Sequence, residues 1–232
     1  MKLTKILIML RAFIPSLIFN FKYLPFRQAV KLPVLVYKPH FIKLKGSVSI
    51  ESNKIHFGMI RLGFWVTRVY PNSGIYWCNE GDIVFKGKAV IKNDCYVLCG
   101  NQGKIVFGES FGASAGSKIV SRCSVTFGKY TRLGWGVTII DTNFHPLYDM
   151  EKKEFKTAFG PIEIGDYNWF ASQCMIMPRV KTPERCIFGA RSIVTRGTKF
   201  ESYCIHGGTP LRVLSRNVMR DYDNDLIKDY SL

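Results

Sequence analysis

Ile164, Phe170, Ile176, Thr182, Phe188 and Val194 follow one another at intervals of six residues. A helix repeats its apolar face near every 3.6 residues and a strand every 2, so a sustained period of six suits neither alone. It suits a chain that turns a corner every six residues and stacks flat coils, as hexapeptide β-helices do. Gly165, Asp166, Gly189 and Ala190, small or turn-forming, come just after inward positions. The period runs upstream with interruptions. Phe85, Ile91 and Val97 fit, ten residues then pass before Phe107, Ala113 and Ile119, and a slip of two precedes Phe127, Leu133 and Ile139. Gly108, Gly128 and Gly134 directly follow Phe107, Phe127 and Leu133. The pattern predicts an all-β parallel β-helix.

Residues 141–160 abandon the period altogether and are polar and charged. Flanked by segments that keep the repeat, they read as a loop thrown out of the stack, and long loops in compact folds usually carry function. The expected organisation is a basic amphipathic segment at 1–45, coils at 46–210 with the loop at 141–160, and a tail at 211–232. That tail mixes Arg212, Arg216 and Arg220 with Asp221, Asp223 and Asp225, and reads as a short exposed helix or strand extension.

Charge changes the picture at the N-terminal end. The 232-residue chain carries a formal net charge of +16, and no acidic residue precedes Glu51. Lys2, Lys5, Arg11, Lys22, Arg27 and Lys31 interleave with Ile6, Leu7, Leu10, Phe13, Ile14, Leu17, Ile18 and Phe21 near helical spacing, the pattern of a basic amphipathic helix. Arg11 and Pro15 interrupt the apolar run, against a spanning helix. Two readings stay open: the helix packs its apolar face over the open end of the coils, or it attaches to an anionic membrane face. Nucleic-acid binding has only net charge in its favour and no recognisable module. Cys78, Cys95, Cys99, Cys123, Cys174, Cys186 and Cys204 form no framework and read as reduced thiols of a cytoplasmic protein. No second pair completes a zinc site with Cys95 and Cys99, and no metal is expected.

Four ordered blocks carry a resemblance. Pro161-Ile162-Glu163-Ile164-Gly165-Asp166-Tyr167-Asn168-Trp169-Phe170 resembles the signature of hexapeptide-repeat acyltransferases of the maltose and galactoside O-acetyltransferase branch. Phe188-Gly189-Ala190-Arg191-Ser192-Ile193-Val194-Thr195-Arg196 resembles the block that follows it, and Gly207-Gly208-Thr209-Pro210-Leu211-Arg212 the closing motif. Asn143-Phe144-His145-Pro146 sits where that family places its catalytic His-Pro. The match covers residues 105–213, and residues 1–45 are more loosely similar to the leader of capsule and lipopolysaccharide modification enzymes. The resemblance implies a left-handed parallel β-helix, a homotrimer with sites between subunits, and acetyl transfer from acetyl-CoA to a sugar hydroxyl.

Within that resemblance His145 is the general base. An alcohol is a poor nucleophile at neutral pH, and a neutral imidazole can take its proton as the oxygen attacks the thioester. Its second ring nitrogen needs an acceptor: Asp141 is the nearest in sequence, although a backbone carbonyl or a carboxylate from another coil would serve. Ser172 and Ala190 fall where backbone groups meet the pantetheine arm of CoA, and Thr195, Arg196 and Arg212 near its phosphates, where an arginine makes charge-assisted bonds. Trp169 falls where the family stacks an indole near the acceptor, with plain packing as the competing reading. Ser114 or a neighbour stands where the family has an acceptor-binding Asn. The expected acceptor is a sugar or lipid-linked sugar of a surface polysaccharide, met in the cytoplasm or peripherally at the inner face of the membrane. N-acetylation of an amino-sugar nucleotide and a non-catalytic membrane-bound β-helical scaffold are the alternatives.

Overall fold

Each member of the six-residue series is buried, and the members distribute in turn over three faces of a prism. The computed structural model describes residues 2–65 and 69–222, with side chains from residue 7 onwards. Lys2, Lys5 and Ile6 as side chains, and Asp223 and Asp225 of the expected tail, lie outside the described residues.

The first face stacks Val34–Val36, Ile60–Phe64, Ala89–Lys92, Phe111–Ala113, Arg132–Leu133, Trp169–Phe170, Ile187–Phe188 and Cys204–Gly207. The second stacks Pro39–Leu44, Ile75–Asn79, Cys95–Cys99, Lys118–Ser121, Thr138–Ile140, Met175–Ile176 and Ile193–Val194. The third stacks Ser47–Ile50, Asp82–Phe85, Lys104–Phe107, Val125–Phe127, Ile162–Ile164 and Lys181–Thr182. Neighbours on all three faces run parallel, so identical positions of successive coils stack: Leu133 pairs with Phe170 and Phe170 with Phe188, the last two rings 4.5 Å apart. The fold is the expected left-handed parallel β-helix. A Cβ on Gly128 would lie 2.6 Å from the Gly165 carbonyl carbon, and one on Gly165 2.5 Å from that of Pro183. Close backbone approach between coils is why glycine recurs after the inward residue there.

The interruptions of the period share one place. From Val97 to Phe107, Ile119 to Phe127 and Ile139 to Ile164 the chain passes from the second face to the third. Each slip is an insertion at that corner, and residues 141–160 are the longest.

The coils begin before the expected boundary at Gly46. Val34–Val36 pairs with Ile60–Leu62 and Pro39–Leu44 with Ile75–Asn79, so residues from Val34 onwards are already coil. Val34, Leu35 and Val36 are buried in succession with no alternation or six-residue spacing to announce them. The described part of the tail is the strand extension: Arg212–Arg216 runs antiparallel to Cys204–Gly207.

The N-terminal helix, Lys2–Tyr23, closes the first coil through the face opposite to its apolar stripe. Ala12, Ser16, Phe19 and Asn20 are buried, at the spacing of one helix face. Ser16 Oγ accepts from the Val36 amide (2.9 Å). Asn20 accepts from the Val34 amide (3.2 Å) and donates to the Val34 carbonyl (2.7 Å). Two polar side chains thus take the place of a neighbouring strand along an edge that would otherwise be open. Phe19 enters the core beside Trp77 (5.1 Å between rings). The cap is real, but its apolar stripe stays outside.

Candidate active site

The loop leaves the second face at Asp141 and returns to the third at Ile162. Its root is tied at several points. The Gly160 amide donates to the Asp141 carbonyl (2.9 Å) and the Asn143 amide to that of Ala158 (2.7 Å). Farther out, Leu147–Asp149 pairs antiparallel with Glu154–Lys156. Asp149 accepts from the amides of Glu151 and Lys152 (3.0 Å each) and meets Lys156 Nζ at 2.9 Å. Those bonds, the Lys152 amide first, hold its carboxyl below the usual range.

His145 is exposed at a tight turn. Its amide donates to the Asn143 carbonyl two residues back (2.7 Å), and Phe144 between them has φ 58°. A bulky residue in the left-handed region costs of order 1–3 kcal/mol and persists only where its surroundings impose it. Here Thr142 Oγ1 accepts from the Phe144 amide (2.9 Å). The turn fixes the imidazole's point of departure and leaves the ring facing a cleft of about 710 Å³. The cleft is lined by Asn143, His145, Lys152 and Lys156 of the loop and by Met177, Arg179, Thr195 and Arg196 of the next two coils. Thr195 and Arg196 follow Val194 at the corner where the loop departs, because Ile139, Ile176 and Val194 stack in register. The structure therefore brings together three of the residues expected from sequence, His145, Thr195 and Arg196.

Asp141 is not among them. It is fully buried, and its carboxylate accepts from Ser121 Oγ (2.8 Å), the Arg122 amide (2.7 Å) and the Cys123 amide (2.9 Å). All three donors belong to the same corner one coil earlier, so Asp141 rivets the loop's root to the stack and its side chain is spent there. The expectation that it orients His145 is corrected. Arg179, which sequence reasoning missed, holds the returning strand: its guanidinium donates to the carbonyls of Thr157 (3.0 Å) and Phe159 (2.8 Å). The signal was available, since Arg179 lies three residues after Ile176, on the corner from which the loop departs.

The remaining expected residues lie elsewhere in the chain. Ser172 and Ala190 occupy successive rungs of the corner between the first and second faces, with Ser114 lower on the same corner. Trp169 is half-buried on the first face with the Arg220 guanidinium 4.8 Å above its ring. Arg212 is exposed on the closing antiparallel strand. Burial pushes the thiols of Cys95, Cys99 and Cys186 up to about 12, and that of Cys174 to about 11, so these behave as packing groups rather than nucleophiles. Among the described residues no group of three His, Cys, Asp or Glu is placed to hold a metal ion.

No protein-family model matches the chain. Over 198 residues it is 26% identical to an uncharacterized 24.8 kDa protein in the cps region of Klebsiella pneumoniae, covering 85% of this chain and 86% of that protein. It is 30% identical over 128 residues to the galactoside O-acetyltransferase of Escherichia coli K12, covering 55% of this chain and 61% of the enzyme. With the polysialic acid O-acetyltransferase of Escherichia coli O1:K1 it shares 26% identity over 142 residues, 60% of this chain and 45% of that one. The chain thus spans less than two thirds of each of these two enzymes. Both are sugar O-acetyltransferases by name, in keeping with the resemblance its motifs carry.

Proposed function

We propose that this chain, a left-handed β-helix protein similar to the hexapeptide-repeat acetyltransferases, transfers an acetyl group from acetyl-CoA to a sugar hydroxyl with His145 as general base. The observation that carries the reading is the shared cleft: the one histidine of the loop faces Thr195 and Arg196. A neutral imidazole takes the proton of the sugar hydroxyl while its oxygen attacks the thioester carbonyl. The tetrahedral oxyanion collapses, the C–S bond breaks, and the imidazolium returns the proton to the departing thiolate. The products are the sugar ester and CoA. No covalent acetyl-enzyme is needed. A charged Arg196 and the Thr195 hydroxyl suit the phosphates of the donor, with Arg212 in the same role elsewhere.

Ser172 and Ala190 lie on a different corner from His145, so one chain alone does not surround a donor with all of them. A homotrimer would set the Ser172–Ala190 corner of one subunit against the loop of the next. Phe144, Leu147, Met150 and Phe155, exposed on the loop at 55%, 62%, 80% and 70%, would be covered by that neighbour. Light scattering at micromolar concentration should then give a mass near three chains. The acceptor class includes a sugar carried on a lipid, met at the inner face of a membrane.

The decisive experiment follows CoA release from acetyl-CoA with a panel of hydroxyl-bearing sugars and amino-sugar nucleotides. Release with the former supports the proposal. Release with amino sugars alone would replace it with N-acetylation, and none with any acceptor would favour a scaffold.

A further inference from the structure

We infer that the outer face of the N-terminal helix docks on an anionic lipid bilayer, with the prism standing end-on to the membrane. The helix is held to the first coil by Ser16 and Asn20 and by the buried Ala12 and Phe19, so the apolar residues of its opposite face are free of the fold. Leu10, Phe13, Ile14, Ile18 and Phe21 are exposed at 64%, 53%, 65%, 50% and 49%, and lie on one side at helical spacing. The stripe continues past the helix end, where Phe26 is 72% exposed with its ring 6.1 Å from that of Phe21.

Five contiguous aromatic and aliphatic side chains in water mark an interaction surface rather than scattered exposure. Charge identifies the partner. Arg11, Lys22, Arg27 and Lys31 are exposed around the stripe, and no acidic residue precedes Glu51 to neutralise them. A second copy of the same patch would bring cation against cation. Apolar side chains between cations match the acyl boundary and headgroups of a negatively charged leaflet. No helix among the described residues is long and apolar enough to cross a membrane, which fits a helix lying in the interface plane. This docking goes beyond acetyl transfer, and its readout is vesicle binding rather than turnover.

The test is co-flotation of the full chain with vesicles of equal parts phosphatidylglycerol and phosphatidylcholine, against pure phosphatidylcholine. The chain should float with the anionic vesicles at low salt and lose at least about tenfold in binding to neutral vesicles or at high salt. The triple substitution Leu10→Gln, Ile14→Gln and Ile18→Gln leaves Ser16 and Asn20 in place. It should cut vesicle binding by about tenfold or more while the melting temperature and CoA binding stay as they were. The inference is overturned if the intact chain ignores anionic vesicles or if the triple variant binds them as tightly. It is overturned equally if the variant changes the mass in light scattering, since the stripe would then cover a second copy. Tighter retention on homopolymeric RNA than on anionic vesicles at equal salt would assign the face to nucleic acid instead.

Discussion

Two corners of the prism are made from one repeat and treated in opposite ways. From Ala89 on, the chain turns from the first face to the second in a short corner, with a left-handed residue at Asp94, Gly116, Gly136, Gln173 and Arg191 in successive coils. At the next corner only the last coils turn tightly, through Arg179 (φ 66°) and Gly197 (φ 81°). The three coils before them carry the insertions there, from Val97 to Phe107, from Ile119 to Phe127 and from Ile139 to Ile164. The closed corner offers backbone in a regular ladder, suited to lie along an extended donor. The open corner offers side chains on an excursion, suited to chemistry. A solenoid can therefore lengthen one corner alone, since each coil contacts only its neighbours and an insertion at one corner leaves the other undisturbed.

The sharpest way to break that contrast is at His145. His145→Ala should lower kcat by about two to four orders of magnitude and leave the melting temperature and CoA affinity unchanged. A loss below tenfold would remove the chemistry from the open corner. Asp141→Ala comes next. It strands a buried hydroxyl, which costs about 1–3 kcal/mol when left unsatisfied, and two partly buried amides that cost less, so urea unfolding should show a loss of about 2 kcal/mol or more. Asp141→Asn, which keeps an acceptor, should lose less. Were Asp141→Ala to keep full stability and lose only turnover, the orienting role would have to be restored.

At the donor end, Arg196→Ala should weaken CoA by about tenfold, roughly 1.4 kcal/mol, and dephospho-CoA by less. Equal weakening by calorimetry would place the 3′-phosphate elsewhere. Ala190→Trp, exposed on the closed corner, should obstruct CoA without unfolding the protein.

The smallest effect separates folding from chemistry. His206 is 1% exposed and stacked on Phe188 at 5.4 Å, with the Glu201 amide donating to its Nε2 at 3.2 Å. Burial lowers its pKa below 6.5, against an opposing pull from Glu201. The unfolded chain then binds this proton first, so the stabilisation is complete above about pH 6.5 and fades as pH falls below it. Melting temperature should decline between pH 7 and 5.5, less so in His206→Gln. An activity loss in that window with a flat melting profile would belong to the open corner alone.

The coils were legible because inward side chains must recur at the chain's own turning interval, and nothing else makes Ile164 through Val194 keep step. The loop was legible as the place where the step fails. The roles of Asp141 and Arg179 were not, because they depend on which corner of one coil lies above which corner of the last. Local sequence places Asp141 four residues from His145, while the register places it against Ser121, Arg122 and Cys123. Which helix face packs on the coils stayed open for a related reason. An apolar stripe predicts burial in a free chain, but an open strand edge needs hydrogen bonds, and Ser16 and Asn20 supply them. The first coil at Val34–Val36 was hidden because its buried run follows no period.

Parallel rungs rise by about 4.8 Å each. The capped coil begins at Val34, and the loop with His145 leaves the coil that begins at Arg132, four rungs away, which is roughly 19 Å along the stack. That height is counted in whole coils and varies in no smaller unit. Ala89 pairs directly with Phe111, so excising residues 89–110 would join Lys88 to Phe111 and shorten the stack by one graduation. With its capped end on a bilayer, as proposed, the molecule would be a depth gauge. It would choose which sugar along a membrane-anchored chain to modify by elevation, before any contact with the sugar itself.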